Sequence, residues 1–292
     1  MTTDQHEHHD HDRGLELDLP TLMTRRRALQ VFGSVGLGAG LLVVAGCGSS
    51  SASGATATTA AGAAPSTSTS TSTTPAATTA ATTTCTEIPD ETAGPYPGDG
   101  SNGPDVLGES GVVRSDITTS FAGMSGTATG TPLTLRFKVL DVATGCTPKA
   151  GAAVYVWHAD AQGRYSLYSS GATNQNYLRG VQEVDADGWV TFQSIFPGCY
   201  DGRWPHVHFE VYESLADASN VKNKIATSQL ALPQDVAEKV YVDTSLYPSS
   251  ATNLKRVSLT SDMVFKDSWQ SELGTVTGDT TSGFVAQLNV GV

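Results

Sequence analysis

Alternation between apolar and polar side chains is the clearest pattern in the later part of the chain, and it predicts β-strands. Between residues 133 and 141 every second side chain is large and apolar, as expected for a strand with one buried face. Further predicted strands are short and lie between glycine or proline turns, at residues 153–158, 188–192, 206–212 and 256–260. Short strands with this punctuation predict an all-β sandwich. One short helix is predicted after Pro233, since proline is favoured in the first helical turn. Trp157, Trp189 and Phe192 are expected to be core side chains.

The first 47 residues have the features of an export signal. The arginines at 25–27 precede an apolar run at residues 31–45, which is too short and too rich in glycine for a membrane-spanning helix. The paired arginines resemble a twin-arginine signal, and the end of the run at Cys47 resembles the lipobox of a bacterial lipoprotein. We therefore expect twin-arginine export, with a lipid on Cys47 as the protein's only attachment to a membrane.

Composition divides the remaining chain into two regions. Residues 48–84 are almost entirely Ser, Thr, Ala, Gly and Pro, which offer too little apolar surface to offset the entropy of ordering, so we expect a disordered tether. Residues 85–292 are long enough for one domain with a sizeable core.

The formal net charge of −12 and the lack of basic clusters argue against nucleic-acid binding and fit an extracytoplasmic protein. The oligomeric state stays open.

Cysteine usage fits an oxidising compartment. Besides Cys47, the chain has Cys85 at the start of the domain, Cys146 after the first long strand and Cys199 beside Tyr200. We predict a disulfide between Cys85 and Cys146, because both flank the first sheet element, and a reduced Cys199. The odd number of cysteines leaves the pairing open at the level of sequence.

Few histidines remain once the signal is set aside. Four of the seven lie within the first 11 residues, ahead of the predicted cleavage, which leaves His158, His206 and His208. Alternation along a strand points His206 and His208 to the same side, where two imidazoles can reach one metal ion. Tyr165 and Tyr200 add two phenols. His158 is expected to be a hydrogen-bonding histidine of the core.

Several short motifs, in a fixed order, resemble the intradiol ring-cleavage dioxygenases, the superfamily of protocatechuate 3,4-dioxygenase and catechol 1,2-dioxygenase. They lie at residues 91–96, 151–158, 163–165, 177–182, 185–188, 196–200, 203–208 and 228–229, and cover most of residues 85–235. The resemblance implies a prealbumin-like β-sandwich of the aromatic compound dioxygenase type. It further implies the opening of a catechol-type ring with O₂ to a muconate-type product.

The resemblance also implies one ferric ion per chain, held by four side chains. These are Tyr165, which ends a Gly-Arg-Tyr element, Tyr200, which ends a Pro-Gly-Cys-Tyr turn, and both histidines of the His206-Val-His208 strand. The chemistry of the residues agrees with this assignment. Phenolate is a hard anionic oxygen donor, and two phenolates favour iron in the +3 state, which in turn lowers the pKa of a bound phenol.

Roles at the substrate follow from the same resemblance. Tyr200 would be displaced from iron by the catechol dianion and would accept a substrate proton, while Arg203 would stabilise the electron-rich ring as O₂ attacks. Gln229 would position Arg203, and Tyr96 would lie near the substrate mouth. Residues 166–176, which would line the pocket, are small and polar, so the particular catechol stays open.

Two other protein classes share parts of this pattern. A cupin uses a His-x-His pair followed by glutamate, and His206, His208 and Glu213 have that spacing, but no further histidine follows on a later strand. A non-catalytic β-sandwich binding module would share turns such as Asp187-Gly188, yet has no need for two tyrosines and two histidines together. Iron content, with the burgundy colour of tyrosinate-to-iron charge transfer, separates these alternatives.

The signal features generate a first testable prediction. The mature protein should begin at Cys47, should carry a diacylglyceryl group there, and should be found in the membrane fraction. Mass spectrometry of that fraction should detect no peptide from residues 1–46. A soluble protein that retains Met1 would contradict this prediction.

Overall fold

Two β-sheets form the body of the fold in the computed structural model, which describes residues 85–292. The first sheet contains β1 (Pro132–Asp141), β2 (Thr147–Pro148), β5 (Trp189–Ile195), β8 (Thr275–Asp279) and β9 (Gly283–Gly291). The second sheet contains β3 (Ala153–Trp157), β4 (Arg179–Glu183), β6 (His206–Tyr212) and β7 (Lys224–Ala231). The predicted all-β sandwich is confirmed. The predicted signal, the tether and Cys47 lie outside the described residues.

Strand order places β6 in the interior of its sheet. The second sheet runs β4-β3-β6-β7, and its pairings are all antiparallel. The first sheet runs β2-β1-β9-β8, with β5 also paired to β1 and with β1 and β9 parallel. Every residue of β6 is buried, so both faces of this strand are covered by protein.

Helices are few and short. The helix predicted after Pro233 is present as α1 (Gln234–Val240). It is followed by α2 (Ser250–Leu254) and α3 (Trp269–Glu272). Single 3₁₀ turns occur at Asp217–Ser219, Val221–Asn223 and Phe265–Asp267. Within residues 85–292 no helix has the length and apolar character needed to cross a membrane.

The core lies between the two sheets. Alternate residues of β1 from Leu133 to Val139 are fully buried, as their spacing predicts, and they pack against the inward side chains of β3 and β6. The rings of Phe137 and Phe209 lie 5.0 Å apart across this interface. Burial of these apolar side chains is the main stabilising contribution to the sandwich.

The other face of the second sheet is covered by the segment before β1. Side chains of this segment, among them Tyr96 and Phe121, pack on Tyr155 and Trp157 of β3. Strand register places four side chains of this face in one row across the sheet: Arg179, Trp157, His208 and Gln229. The buried polar chemistry of the domain is therefore concentrated on this face.

The predicted strand at 256–260 is wrong. Residues 255–262 form turns, in which Ser258 donates its N–H to the Ser261 hydroxyl and Asp262 donates its N–H to the Ser258 carbonyl. Serine side chains that bond to nearby backbone compete with sheet pairing. Trp189 is only half-buried, because its ring lies under Arg136 at 4.2 Å and is not in the core. Trp157 and Phe192 are fully buried, as predicted.

Five strands were missed by the sequence pattern: β2, β4, β7, β8 and β9. Strand β9 does alternate, with Phe284, Ala286, Leu288 and Val290 buried, and could have been found. Strand β8 has no buried residue and pairs only with β9, so it carries no apolar signal. Strand β7 is buried over its last five residues, but it carries the polar Gln229 in the row that contains His208. Its sequence therefore lacks the apolar pattern expected of a buried strand.

The predicted disulfide is present between Cys85 and Cys146, with an S–S distance of 2.07 Å, and Cys199 is a free, buried thiol. The bridge joins the first described residue to the turn between β1 and β2. Next to it, the Ile88 N–H donates to the Gly291 carbonyl at 2.9 Å, which ties the start of the domain to β9.

Loss of this bridge should destabilise the domain. The two cysteines are 61 residues apart, and closing a loop of this size lowers the entropy of the unfolded chain, which corresponds to about 2–4 kcal/mol. Urea unfolding of the Cys85→Ser, Cys146→Ser double variant should show this loss. Reductant should shift the midpoint of the wild type and of Cys199→Ala but leave the double variant unchanged. A wild type insensitive to reductant would contradict the prediction.

Candidate active site

Four polar side-chain atoms converge on the outer face of the second sheet. The Tyr165 hydroxyl lies 3.2 Å from Nε2 of His206 and 3.1 Å from Nε2 of His208. The two imidazole nitrogens are 3.1 Å apart. The Tyr200 hydroxyl lies 3.4 Å from Nε2 of His206 and 3.5 Å from the Tyr165 hydroxyl. The four side chains predicted as metal ligands are thus brought together at one point.

This arrangement fits a transition-metal ion. The pairs of donor atoms given above lie 3.1–3.5 Å apart, a spacing compatible with their binding to one ion. Two imidazole nitrogens and two phenol oxygens are a donor set suited to iron, more than to magnesium or calcium. All four side chains are buried, which excludes most competing water.

Glycines allow the two tyrosine-bearing turns to touch. Gly163 has a positive φ of 81°, and a Cβ added there would lie 3.1 Å from the Cβ of Tyr200. A Cβ on Gly198 would meet the Ala161 carbonyl oxygen and the Gly163 nitrogen at 2.7 Å each. Larger side chains at either glycine would push the turns apart. The Gly-Arg-Tyr and Pro-Gly-Cys-Tyr motifs therefore place their tyrosines by close backbone packing.

Each histidine is oriented by a different contact. Nδ1 of His206 hydrogen-bonds to the Trp204 carbonyl, which makes Nδ1 the donor and leaves a lone pair on Nε2. The His208 ring stacks on Trp157, with centroids 4.9 Å apart and planes inclined by 7°. Among the described residues, Nδ1 of His208 has no hydrogen-bond partner, so ring stacking sets its orientation.

Burial keeps both imidazoles neutral. Burial, with a smaller effect of the positive Arg203, lowers the pKa of His206 to about 3. Burial and then the neighbouring His206 lower the pKa of His208 well below its usual 6.5. A neutral imidazole is the form that binds a metal.

Arg203 is held as a buried cation beside the histidine strand. Its side chain is 1% exposed, and Nε donates to Asp262 at 3.1 Å. Nη2 donates to Oε1 of Gln229 at 2.6 Å, and the Gln229 amide nitrogen donates to the Thr92 carbonyl at 3.1 Å. Asp262 also accepts the Trp204 N–H at 2.6 Å. Contacts through two different nitrogens, Nε and Nη2, fix the plane of the guanidinium.

Asp262 is the counter-ion of Arg203. Burial raises the pKa of Asp262, but Arg203 and backbone N–H donors outweigh this effect and lower the pKa below its usual range. The carboxylate is therefore ionised at neutral pH. Sequence reasoning missed this residue because it lies 59 positions from Arg203. It follows residues 256–260, which were predicted to form a strand.

An aromatic wall lies beside the four donors. The Tyr96 ring is 4.8 Å from that of Tyr165, and Tyr168 is 5.3 Å from Tyr96 on its other side. Tyr96 was predicted near the substrate; Tyr168 was not. The guanidinium of Arg179 holds this wall by donating to the carbonyls of Tyr96 at 2.8 Å and Ser166 at 3.0 Å.

Two other polar side chains lie away from the four donors. His158 is the hydrogen-bonding core histidine that was predicted: its ring nitrogens contact the Ser194 hydroxyl at 2.7 Å and the Ala159 carbonyl at 2.8 Å. Burial lowers the pKa of His158 to about 4. Glu213 is 58% exposed and pairs with Lys149 at 3.0 Å, so it does not complete a cupin-like triad.

Comparison with known proteins finds similarity to dioxygenases. Residues 102–216, which include all four converging donors and Arg203, match the family model described as Dioxygenase. The chain is 40% identical over 58 residues to chlorocatechol 1,2-dioxygenase of Rhodococcus opacus and 35% identical over 83 residues to catechol 1,2-dioxygenase 1 of Acinetobacter lwoffii. Part of the domain is therefore similar in sequence to catechol 1,2-dioxygenases.

The extent of these similarities differs between sequence and structure. The two sequence alignments cover 20% and 22% of this chain and 23% and 27% of the relatives, so the chain spans about a quarter of the length of the curated relatives it matches. An intradiol ring-cleavage dioxygenase from Tetranychus urticae shares the fold, with a TM-score of 0.55 at 22% identity over 71% of this chain and 94% of that chain. The similarity in fold therefore extends well beyond the aligned segments of sequence.

Removal of Asp262 should destabilise the domain strongly. Asp262→Ala leaves Arg203 buried without its counter-ion, a change that costs about 3–5 kcal/mol in comparable buried pairs. Urea unfolding should measure the loss. The matched control is Asp235→Ala, which breaks an exposed pair with Lys239 and should hardly change stability. Equal effects of the two substitutions would show that burial of the Arg203 pair is unimportant.

Proposed function

We propose that the domain is a non-haem iron(III)-dependent intradiol dioxygenase. It opens a catechol-type ring between the two hydroxylated carbons, with both atoms of O₂ entering a muconate-type product. The observation that carries this proposal is the convergence of two phenols and two neutral imidazoles within 3.1–3.5 Å, beside a buried guanidinium. The match of residues 102–216 to the Dioxygenase family model supports the reaction class.

Tyr165, Tyr200, His206 and His208 would hold one ferric ion per chain. A bound ferric ion supplies a Lewis acid that favours the doubly deprotonated catechol and makes its ring reactive toward O₂. The pair of phenols supports Fe³⁺ over divalent ions, because anionic oxygen donors favour the higher charge. Neutral imidazoles complete the set without adding positive charge.

Tyr200 is the residue suited to accept a proton from the substrate. Its side chain is 7% exposed, against 1% for Tyr165. Tyr165 is more constrained, because its N–H donates to the Ser169 hydroxyl at 2.9 Å and its ring packs on Tyr96. We therefore assign proton transfer to Tyr200 and a fixed ligand role to Tyr165.

Arg203 would stabilise negative charge that develops on the substrate. Its guanidinium is oriented before substrate arrives, because Asp262 binds Nε and Gln229 binds Nη2. A preorganised charge in a buried site contributes more than it would in water. Tyr96 would contact the ring of the substrate from the aromatic wall. The exported, lipid-anchored location at Cys47 remains our proposal from the sequence.

Two substitutions test this function, because one should remove iron binding and the other should remove turnover while iron stays bound. His208→Ala should remove most iron and the visible charge-transfer band, since three ligands hold the metal less well than four. Arg203→Ala should keep iron and colour while kcat/KM falls by about 10²–10³-fold, as expected for a group that acts on the transition state. Iron content, the visible spectrum and oxygen uptake with a panel of catechols provide the measurements.

The matched control is Arg256→Ala, which removes an exposed arginine that lies 3.8 Å from Asp201, and it should leave all three measurements unchanged. Incorporation of label from ¹⁸O₂ should give two labelled atoms in a muconate-type product. The function would be wrong if the iron-loaded protein consumed no oxygen with any catechol, or if the product were an extradiol semialdehyde.

A further inference from the structure

Two buried glutamates share one serine hydroxyl behind the contact between Arg203 and Gln229. Ser268 Oγ lies 3.1 Å from Oε1 of Glu91 and 2.8 Å from Oε2 of Glu272. The other oxygen of Glu272 lies 3.4 Å from the Ser228 hydroxyl. Glu91 is 8% exposed, and Glu272 is fully buried. None of these residues has a role in the function proposed above.

A count of protons shows that this cluster needs one more hydrogen than the serine provides. The Ser268 hydroxyl has a single hydrogen, so it can donate to only one of the two carboxyl groups. If both carboxyl groups were ionised, the second contact would bring two oxygens together with no hydrogen between them. One protonated carboxyl that donates to Ser268 satisfies both contacts. The geometry therefore favours a pair with one negative charge.

The surrounding charges agree with a retained proton. Burial, as the largest effect, raises the pKa of Glu91 to about 7, with Asp267 and Asp90 acting in the same direction and Ser268 and Arg203 opposing them. Burial and then the charge of Glu91 raise the pKa of Glu272 to about 8, with a further contribution from Asp262 and opposition from its serine hydrogen bonds.

The cluster is linked to the active site on both sides of Gln229. Glu91 donates its N–H to the Thr227 carbonyl at 2.7 Å, and the next residue, Thr92, accepts the Gln229 amide. Glu272 contacts Ser228, the residue immediately before Gln229. Glu91 is thus linked to the strand of Gln229 through its backbone N–H, and Glu272 is linked to it through the Ser228 hydroxyl.

We propose that Glu91 and Glu272 hold one proton between them through Ser268, and that this pair is a positioning device for Gln229 and Arg203. Release of the proton adds a second negative charge to the cluster. That charge weakens the field of Arg203 and repels the carboxylate of Asp262, so the site works only while the proton is held. The part that concerns Arg203 rests on the proposed function, whereas the shared proton does not.

Infrared spectroscopy tests the shared proton without reference to catalysis. At neutral pH the wild type should show the carbonyl stretch of a protonated carboxylic acid, and this band should disappear in Glu272→Gln. The control Glu238→Gln changes an exposed glutamate of α1 and should leave the band in place. Glu91→Gln provides a second variant for the same measurement should Glu272→Gln not fold. A wild type without the band would overturn the proposal.

The pH dependence of stability gives a second readout. A carboxyl whose pKa is raised on folding contributes stability that is complete below the unfolded pKa, about 4.5, and is lost as the pH rises through about 8. The wild type should therefore lose stability between these values. Glu272→Gln, which cannot ionise, should lose less over the same range, and Glu238→Gln should behave as the wild type.

The pH profile of kcat/KM tests the positioning role. Glutamine resembles the protonated acid, so Glu272→Gln should keep activity within about twofold at pH 7. Between pH 7 and pH 9 the wild type should lose about tenfold and the variant much less, because one added charge near Arg203 has an effect of this size. Profiles that coincide would overturn the positioning role. If no catechol is turned over at all, the infrared and stability measurements still decide whether the proton is shared.

Discussion

The buried positive charge of Arg203 is the constraint on which the rest of the site depends. A guanidinium that is 1% exposed persists only with partners in fixed positions, and Asp262 and Gln229 supply them from two distant parts of the chain. The same charge contributes to the low pKa of both histidines and keeps them in the metal-binding form. Arg203 thus links the loop that carries Asp262, the strand that carries Gln229 and the protonation state of the two histidines.

Sheet register supplies the other half of the arrangement. Because Trp157 lies opposite His208, and His208 lies opposite Gln229, a stacking ring and the partner of Arg203 flank the ligand strand. The tyrosines come from turns outside the sheet, joined through the close packing of Gly163 and Gly198. A strand of the sheet therefore carries the imidazoles, and closely packed turns carry the phenols.

The sequence by itself determined the fold class and the residue types of the site. Period-two alternation in β1 and β6 depends only on the local geometry of a strand, so the sandwich and the common side of His206 and His208 follow from it. The motifs placed Tyr165 and Tyr200 in the predicted ligand set, and their hydroxyls lie 3.5 Å apart in the structure. The predicted disulfide between Cys85 and Cys146 is present. These features depend either on local strand geometry or on residue types, such as histidine and cysteine, that are scarce in the chain.

Only the tertiary structure decided which distant groups meet. Asp262 and Glu272 lie in a loop and a short helix whose sequence has no period, and their importance comes from burial against Arg203 and Glu91. Whether a carboxyl group is exposed and ionised or buried and protonated depends on the atoms around it, and no local pattern encodes those. For the same reason Trp157 was correctly predicted to be buried, yet its contact with His208 was not foreseen, because that contact is set by strand pairing.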